Sequence, residues 1–156
     1  MNYTAGLLFH RRSVMLVRKN NPAWQQGLLN AVGGKIEPGE TSALCMEREF
    51  TEEARLPGIP WRLFAVEEGP DYRVDFYTHR VPDDDPRPFP PVGNDRGEIM
   101  GWVEHEPLLA DQLCWSDGTR MDVVGNLRWL VPLAMDWRFV VSRCVTAHRI
   151  SERPTW

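Results

Sequence analysis

The residues of this sequence best placed to do chemistry lie in one short segment, Arg48-Glu49-Phe50-Thr51-Glu52-Glu53. Positions i, i+3 and i+4 of a helix share a face, so a helix here makes Glu49, Glu52 and Glu53 converge. Like charges at that spacing destabilise an isolated helix by roughly 0.2–0.5 kcal/mol per pair. A bound divalent cation removes the conflict. Hard ions such as Mg²⁺ prefer carboxylate oxygens and keep several waters, which suits phosphate-bearing substrates. A glutamate trio alone also suits a solvated acidic helix face, so the flanking residues matter. Gly33-Gly34 leaves a stretch of backbone without side chains, where a ligand can approach closely. Lys35 offers a point charge to a phosphate. Glu40 precedes the helix, where a carboxylate complements the helix dipole by ~0.3–1 kcal/mol.

The elements that must position these groups can be read from pattern. Residues 3–9 and 13–18 are rich in β-formers and flank His10-Arg11-Arg12, which predicts a strand, a tight turn and a second strand. Residues 19–27 read as a loop from their Asn, Pro and Gly. The apolar run 28–32 leads into the glycine pair. Thr41, with Ser42 as the alternative, is the expected N-cap of a helix running to Ala54. Leu44, Cys45, Phe50 and Ala54 are its expected apolar stripe, and Pro57-Gly58-Ile59-Pro60 ends it. Residues 61–69 and 72–81 read as two strands, and 97–105 as another. Between them, 82–97 carries five prolines and four aspartates and reads as a long loop. A helical turn is expected from Glu106. A helix is expected over 121–137, with Gly125 inside and Pro132 bending it. Residues 143–148 suggest a short strand.

The bulk composition excludes several classes. A chain of 156 residues, 42% apolar, fits one domain over 1–156 with an ordinary core. The net charge is −4 and there is no basic stripe, which argues against an extended nucleic-acid partner. A small polyanionic substrate remains compatible, because a divalent cation can supply the positive charge. No run approaches the ~18 apolar residues of a membrane span. The N-terminal stretch does not read as a signal peptide. Cys45, Cys114 and Cys144 are odd in number and far apart, which points to reduced thiols and a cytoplasmic location.

Residues 34–56, GKIEPGETSALCMEREFTEEARL, resemble the Nudix box, G-x5-E-x7-R-E-U-x-E-E-x-G-U, with U a bulky apolar residue. Gly34, Glu40, Arg48, Glu49, Phe50, Glu52, Glu53 and Leu56 fall in register. The departure is Arg55, where the family has the glycine that lets the chain leave the helix with a positive φ. Either Arg55 takes that strained conformation or the exit shifts towards Gly58.

The resemblance implies an α/β (α+β) Nudix fold, a mixed β-sheet sandwiched between helices. It implies a metal-dependent hydrolase of phosphoanhydrides with Mg²⁺ as cofactor, Mn²⁺ being an alternative. Glu49, Glu52 and Glu53 would be metal ligands, joined by the Gly33 carbonyl. Arg48 would orient a glutamate by a charge-assisted hydrogen bond, and Glu40 would be a structural carboxylate. Glu52, Glu53, Arg48 and Glu98 form the expected catalytic set. Glu98 is the expected further ligand or general base, with Asp95 as the alternative.

Asn30, Gly34 and Lys35 are the expected substrate contacts. Residues 28–35 are similar to the strand before the box in MutT-like triphosphatases, where an asparagine at the position of Asn30 can hydrogen-bond the base. Trp115, Asp117, Asp122 and Asn126 lie roughly where those enzymes read the base, but at a different spacing, and Trp24 and Trp115 also suit simple packing.

The expected reaction is cleavage of a nucleoside triphosphate, an oxidised purine (d)NTP among the candidates, to monophosphate and pyrophosphate. Other expected substrates are ADP-ribose, a nucleotide sugar, a dinucleoside polyphosphate or a capped RNA end. A non-catalytic Nudix-fold regulator is the remaining alternative, disfavoured by a box that keeps every carboxylate. The expected partner is a small nucleotide, with the chain a monomer or homodimer.

Overall fold

In the computed structural model, the described residues are 1–85, 92–94, 97–105, 113–114, 120–136 and 142–145. The N-terminal hairpin forms as its pattern dictates. Strand β1 (Asn2–His10) turns at Arg11-Arg12 into β2 (Ser13–Arg18). Only the last residues of β1 pair with β2, from Leu8↔Met15 onward. Over Tyr3–Gly6 the same edge pairs instead with β4 (Val32–Lys35). Strand β3 (Leu29–Asn30) pairs with β2. The sheet therefore splays between β4 and β3, and the glycine pair lies on one arm of that fork.

Strands β5 (Arg62–Glu68) and β6 (Arg73–Val81) form an antiparallel pair, and β6 runs parallel to β1. Beyond β2 the sheet continues through β8 (Ile99–Glu104) to β7 (Val92–Gly93). At the other edge β11 (Ser142–Val145) pairs in parallel with β5. The short strands β9 (Leu113–Cys114) and β10 (Arg120–Met121) pair only with each other. Strand β7 lies inside the segment 82–97 that the sequence predicts as loop. It is two residues long, too short for a periodic signal.

Strand alternation sends neighbouring side chains to opposite faces. Leu7, Phe9, Val14, Leu16 and Phe76 pack under α2 (Leu127–Met135). Leu8, Met15, Val17 and Tyr77 pack under α1 (Ser42–Ala54). The mixed sheet is thus sandwiched between helices, as the resemblance implies. No described helix is long and apolar enough to cross a membrane.

Helix α1 begins as expected. Thr41 Oγ1 accepts the Leu44 N–H at 3.2 Å, so Thr41 rather than Ser42 is the cap. Its buried stripe differs from the expected one, since Leu44 is 57% exposed while Met46 is fully buried. Met46 fits because Gly6 beneath it has no Cβ; one would meet the Met46 thioether.

Helix α2 starts later than expected, and Gly125 lies in the turn before it. The cause is pairing upstream. Leu29 N–H donates to the Asp122 carbonyl and Val124 N–H to the Leu29 carbonyl, both at 2.9 Å. That holds 122–124 extended until Asn126 caps the helix. Pro132 lies within α2, as predicted. The helical turn expected from Glu106 lies outside the described residues.

Candidate active site

A Pro-Gly turn opens the site. Pro38 fixes its own φ, and Gly39 takes φ +83°, a conformation glycine adopts without a Cβ penalty. The turn closes with Glu40 N–H donating to the Glu37 carbonyl at 3.1 Å. Glu40 Oε2 in return accepts the Glu37 N–H at 3.0 Å. This tight loop delivers the Glu40 carboxylate to the side of α1.

Arg48 is the hub. Its Nε and Nη2 donate to the two oxygens of Glu40 at 2.8 and 3.1 Å, a bidentate clamp. Its Nη1 donates to Glu49 Oε1 at 2.8 Å and stands 3.5 Å from Glu52 Oε2. Nη2 also reaches the Lys35 carbonyl at 3.3 Å. One guanidinium therefore joins the turn, strand β4 and the acidic helix face. The Arg48 clamp, helped by the Glu37 N–H, holds the Glu40 carboxyl down at about 2. Burial, reinforced by the negative charge of Glu40, pushes the neighbouring Cys45 thiol up to about 12. That thiol stays neutral and donates to the Lys35 carbonyl at 3.4 Å.

The glycine pair has a steric reason. A Cβ at Gly33 would collide with the Thr4 carbonyl and the Ala5 backbone of β1. One at Gly34 would occupy the space taken by the Glu49 carboxylate. Glycine there lets the carboxylate lie directly on the strand. Glu49 and Glu53 are buried, one turn apart, while Glu52 is exposed. Lys35, the next residue of β4, is exposed.

Glu98 stands just before β8 and is 2% exposed. Burial alone would raise its carboxyl, but bonds from Lys19 and Asn94 bring it below the usual range. Lys19 Nζ is 2.9 Å from Oε1, Asn20 N–H donates to Oε1 at 3.3 Å, and Asn94 Nδ2 donates to Oε2 at 3.1 Å. Glu98 is thus bound to the β2–β3 loop rather than to the box carboxylates. Asp95, Trp115 and Asp117 lie outside the described residues. Asp122 is exposed, and Asn126 is half-buried at the α2 cap.

Asn30 sits on β3 with its amide engaged locally. Oδ1 accepts the Ala31 N–H at 2.7 Å, and Nδ2 donates to Gln25 Oε1 at 3.2 Å. Trp24 beside that loop is 58% exposed, so it is not a core residue. Lys19, Gln25 and Asn94 escape a sequence reading. Lys19 is joined to Glu98 far along the chain, beyond the reach of any spacing rule, while Gln25 and Asn94 bond Asn30 and Glu98 in segments that carry no motif.

Among the described residues, no three His, Cys, Asp or Glu side chains are gathered closely enough to hold a metal ion. The donor set nevertheless fits a hard divalent cation. It consists of carboxylate oxygens beside a strand kept free of side chains at Gly34, where a Cβ would displace the Glu49 carboxylate.

Comparison with known proteins decides the family. The NUDIX domain matches residues 2–121. The chain belongs to the Nudix hydrolase family. It is a Nudix-type pyrophosphohydrolase whose box lies on β4, the Pro-Gly turn and α1.

A search of curated proteins gave no significant match. Solved structures share the fold at low identity. The MutT protein of Bacillus halodurans superposes with a TM-score of 0.67 at 14% identity, covering 94% of this chain and 90% of that one. An ADP-ribose pyrophosphatase of Streptococcus suis gives 0.59 at 17% identity, covering 91% and 97%. Shewanella oneidensis NrtR, solved with a 27mer DNA, gives 0.59 at 14% identity, and this chain spans 59% of its length.

Proposed function

We propose that this Nudix chain hydrolyses a nucleoside triphosphate to the monophosphate and pyrophosphate, with an oxidised purine (d)NTP as the first candidate substrate. The observation that carries the hydrolytic part is the Arg48 clamp. It fixes Glu40 and Glu49 at the mouth of the sheet fork, with Glu49 lying on Gly34. Glu49, Glu52, Glu53 and the Gly33 carbonyl would hold Mg²⁺ or Mn²⁺, with Glu98 as a further ligand or base. A cation bound there would supply charge stabilisation on the phosphoryl oxygens and an activated water.

The chain's own groups do the rest. Arg48 keeps Glu49 on the strand, and the exposed Lys35 would meet the phosphate chain as a point charge. Water attacks phosphorus and the bridging P–O bond breaks. The water proton passes to a carboxylate of the set Glu52, Glu53 and Glu98. Pyrophosphate leaves with the bridging oxygen. Asn30 supplies an amide that donates and accepts, which suits a purine edge once Gln25 yields.

The test is a panel with Mg²⁺ or Mn²⁺: canonical and oxidised nucleoside triphosphates, ADP-ribose, a nucleotide sugar, a dinucleoside polyphosphate and a capped RNA. Pyrophosphate plus monophosphate from a triphosphate, at the highest kcat/KM of the panel, is the expected result. Preferential cleavage of ADP-ribose or another diphosphate-linked compound would replace the triphosphate reading. No turnover of any member would point to a nucleotide-binding regulator instead.

A further inference from the structure

Helix α1 meets the sheet at two glycines on neighbouring strands. Gly34 of β4 lies under the Glu49 carboxylate, and Gly6 of β1 lies under Met46. Thr4 is the partner of Gly34, so the two seats are only two residues apart along β1. Gly34 belongs to the box. Gly6 lies outside it, and its φ is not positive, so its backbone does not demand glycine. The reason for glycine there is steric. A Cβ would lie 2.7 Å from Met46 Cε, 2.8 Å from Met46 Sδ and 3.0 Å from Trp61 Cη2. Carbon atoms pack best at about 3.5–4.0 Å, so the space is short by up to about 1 Å.

The neighbours have little room to retreat. Met46 and Phe50 are fully buried, and Trp61 stands edge-on to the Phe50 ring with centroids 4.9 Å apart. The start of the helix is also pinned. Ser42 Oγ and the Tyr77 hydroxyl share a hydrogen bond of 2.6 Å, and the Cys45 thiol donates to the Lys35 carbonyl at 3.4 Å. Close-packed interiors transmit a volume change rather than absorb it. Pressure under Met46 therefore tilts α1 about its pinned start and raises the turns that follow. Those turns carry the carboxylates. Met46, Glu49, Phe50 and Glu53 are spaced i, i+3, i+4 and i+7, so they share one face, and all four are buried.

We propose that Gly6 is a positioning residue for the carboxylate set. By admitting the Met46 side chain, it fixes how far Glu49 and Glu53 reach towards β4 and hence how tightly they hold a divalent cation. This rests on the metal-binding reading above.

The experiment titrates Mn²⁺, without nucleotide, into the wild type, Gly6→Ala, Met46→Val and the double variant, and reads free Mn²⁺ by electron paramagnetic resonance. Gly6→Ala is expected to weaken Mn²⁺ binding about tenfold, the lower end of the loss for residues that orient metal ligands. Valine lacks the Sδ and Cε atoms that the added Cβ would meet. The double variant should therefore return to within about threefold of the wild type, a strongly non-additive pair. Urea midpoints of the four proteins separate this from a merely structural role, in which affinity would follow stability and a second core truncation would not restore it. Where Gly6→Ala does not fold, the double variant decides alone: affinity near that of the wild type is expected, and a loss of about tenfold overturns the inference. Unchanged affinity in a folded Gly6→Ala, or a loss that Met46→Val does not repair, overturns this inference alone. No Mn²⁺ binding by the wild type overturns the metal-binding reading and this inference with it.

Discussion

Arg48 serves two carboxylates of opposite roles. It clamps Glu40, which anchors the turn, and Glu49, which faces the strand. Removing such an outer partner of a ligand set typically costs 10–100-fold in metal affinity or activity. Arg48→Ala should lower kcat/KM by about that factor in a steady-state pyrophosphate assay. An unchanged value would contradict the role given to the clamp.

The same pair sets a pH dependence. Folding lowers the Glu40 carboxyl from 4.5 to about 2. A group depressed in the folded state binds fewer protons there than in the unfolded chain. Its contribution is therefore complete above 4.5 and is lost as pH falls from there through about 2. A ¹³C titration of the Glu40 carboxyl in the folded protein should show a midpoint near 2. A midpoint near 4.5 would mean that the clamp does not persist in solution.

At the scale of elements, the sequence spoke clearly where spacing is local and poorly where pairing is distant. Helix α1 was legible, because Thr41, the turn residues and the glutamates lie within a few turns of one another. Met46 replaced Leu44 in its buried stripe because a cavity over Gly6 lies on another element. The late start of α2 has the same origin, since Leu29 holds 122–124 extended from far upstream. The box residues were readable from their register. The Lys19–Glu98 contact was not, because β2 and β8 meet only after folding.

The helix exit resolves the one departure from the box pattern. Arg55 itself takes the left-handed conformation, φ 56° and ψ 30°, and its N–H bonds the Thr51 carbonyl at 3.0 Å. The exit is not displaced to Gly58. A left-handed non-glycine residue costs roughly 1–2 kcal/mol, and glycine's extra unfolded-state freedom takes back ~0.5–1. Arg55→Gly should therefore stabilise the protein by about 0.5–1 kcal/mol in urea unfolding. A loss of stability would show that the Arg55 side chain contributes contacts that outweigh the strain.

For the whole molecule, the sheet has two packed faces, one under α1 and one under α2. The α1 face carries the box carboxylates. Glu49 and Glu53 are buried one turn apart, and a cation held by them would bind the folded state alone. Ligand binding to the native state stabilises it by ~2.7 kcal/mol at a hundredfold excess over Kd. Mg²⁺ or Mn²⁺ should raise the melting temperature over that in EDTA, and Ca²⁺-free monovalent salt of equal ionic strength should not. Equal effects of both salts would reduce the result to screening.

In the proposed function, the box carboxylates drive phosphoanhydride hydrolysis. Its most direct test compares the wild type with Glu53→Gln, an isosteric change on a residue only 5% exposed. Both are assayed for pyrophosphate and monophosphate release from the best triphosphate with saturating Mg²⁺. The expected result is a fall in kcat of about 10²–10⁴-fold with the fold intact by circular dichroism. A Glu53→Gln enzyme that turns over at the wild-type rate would contradict it.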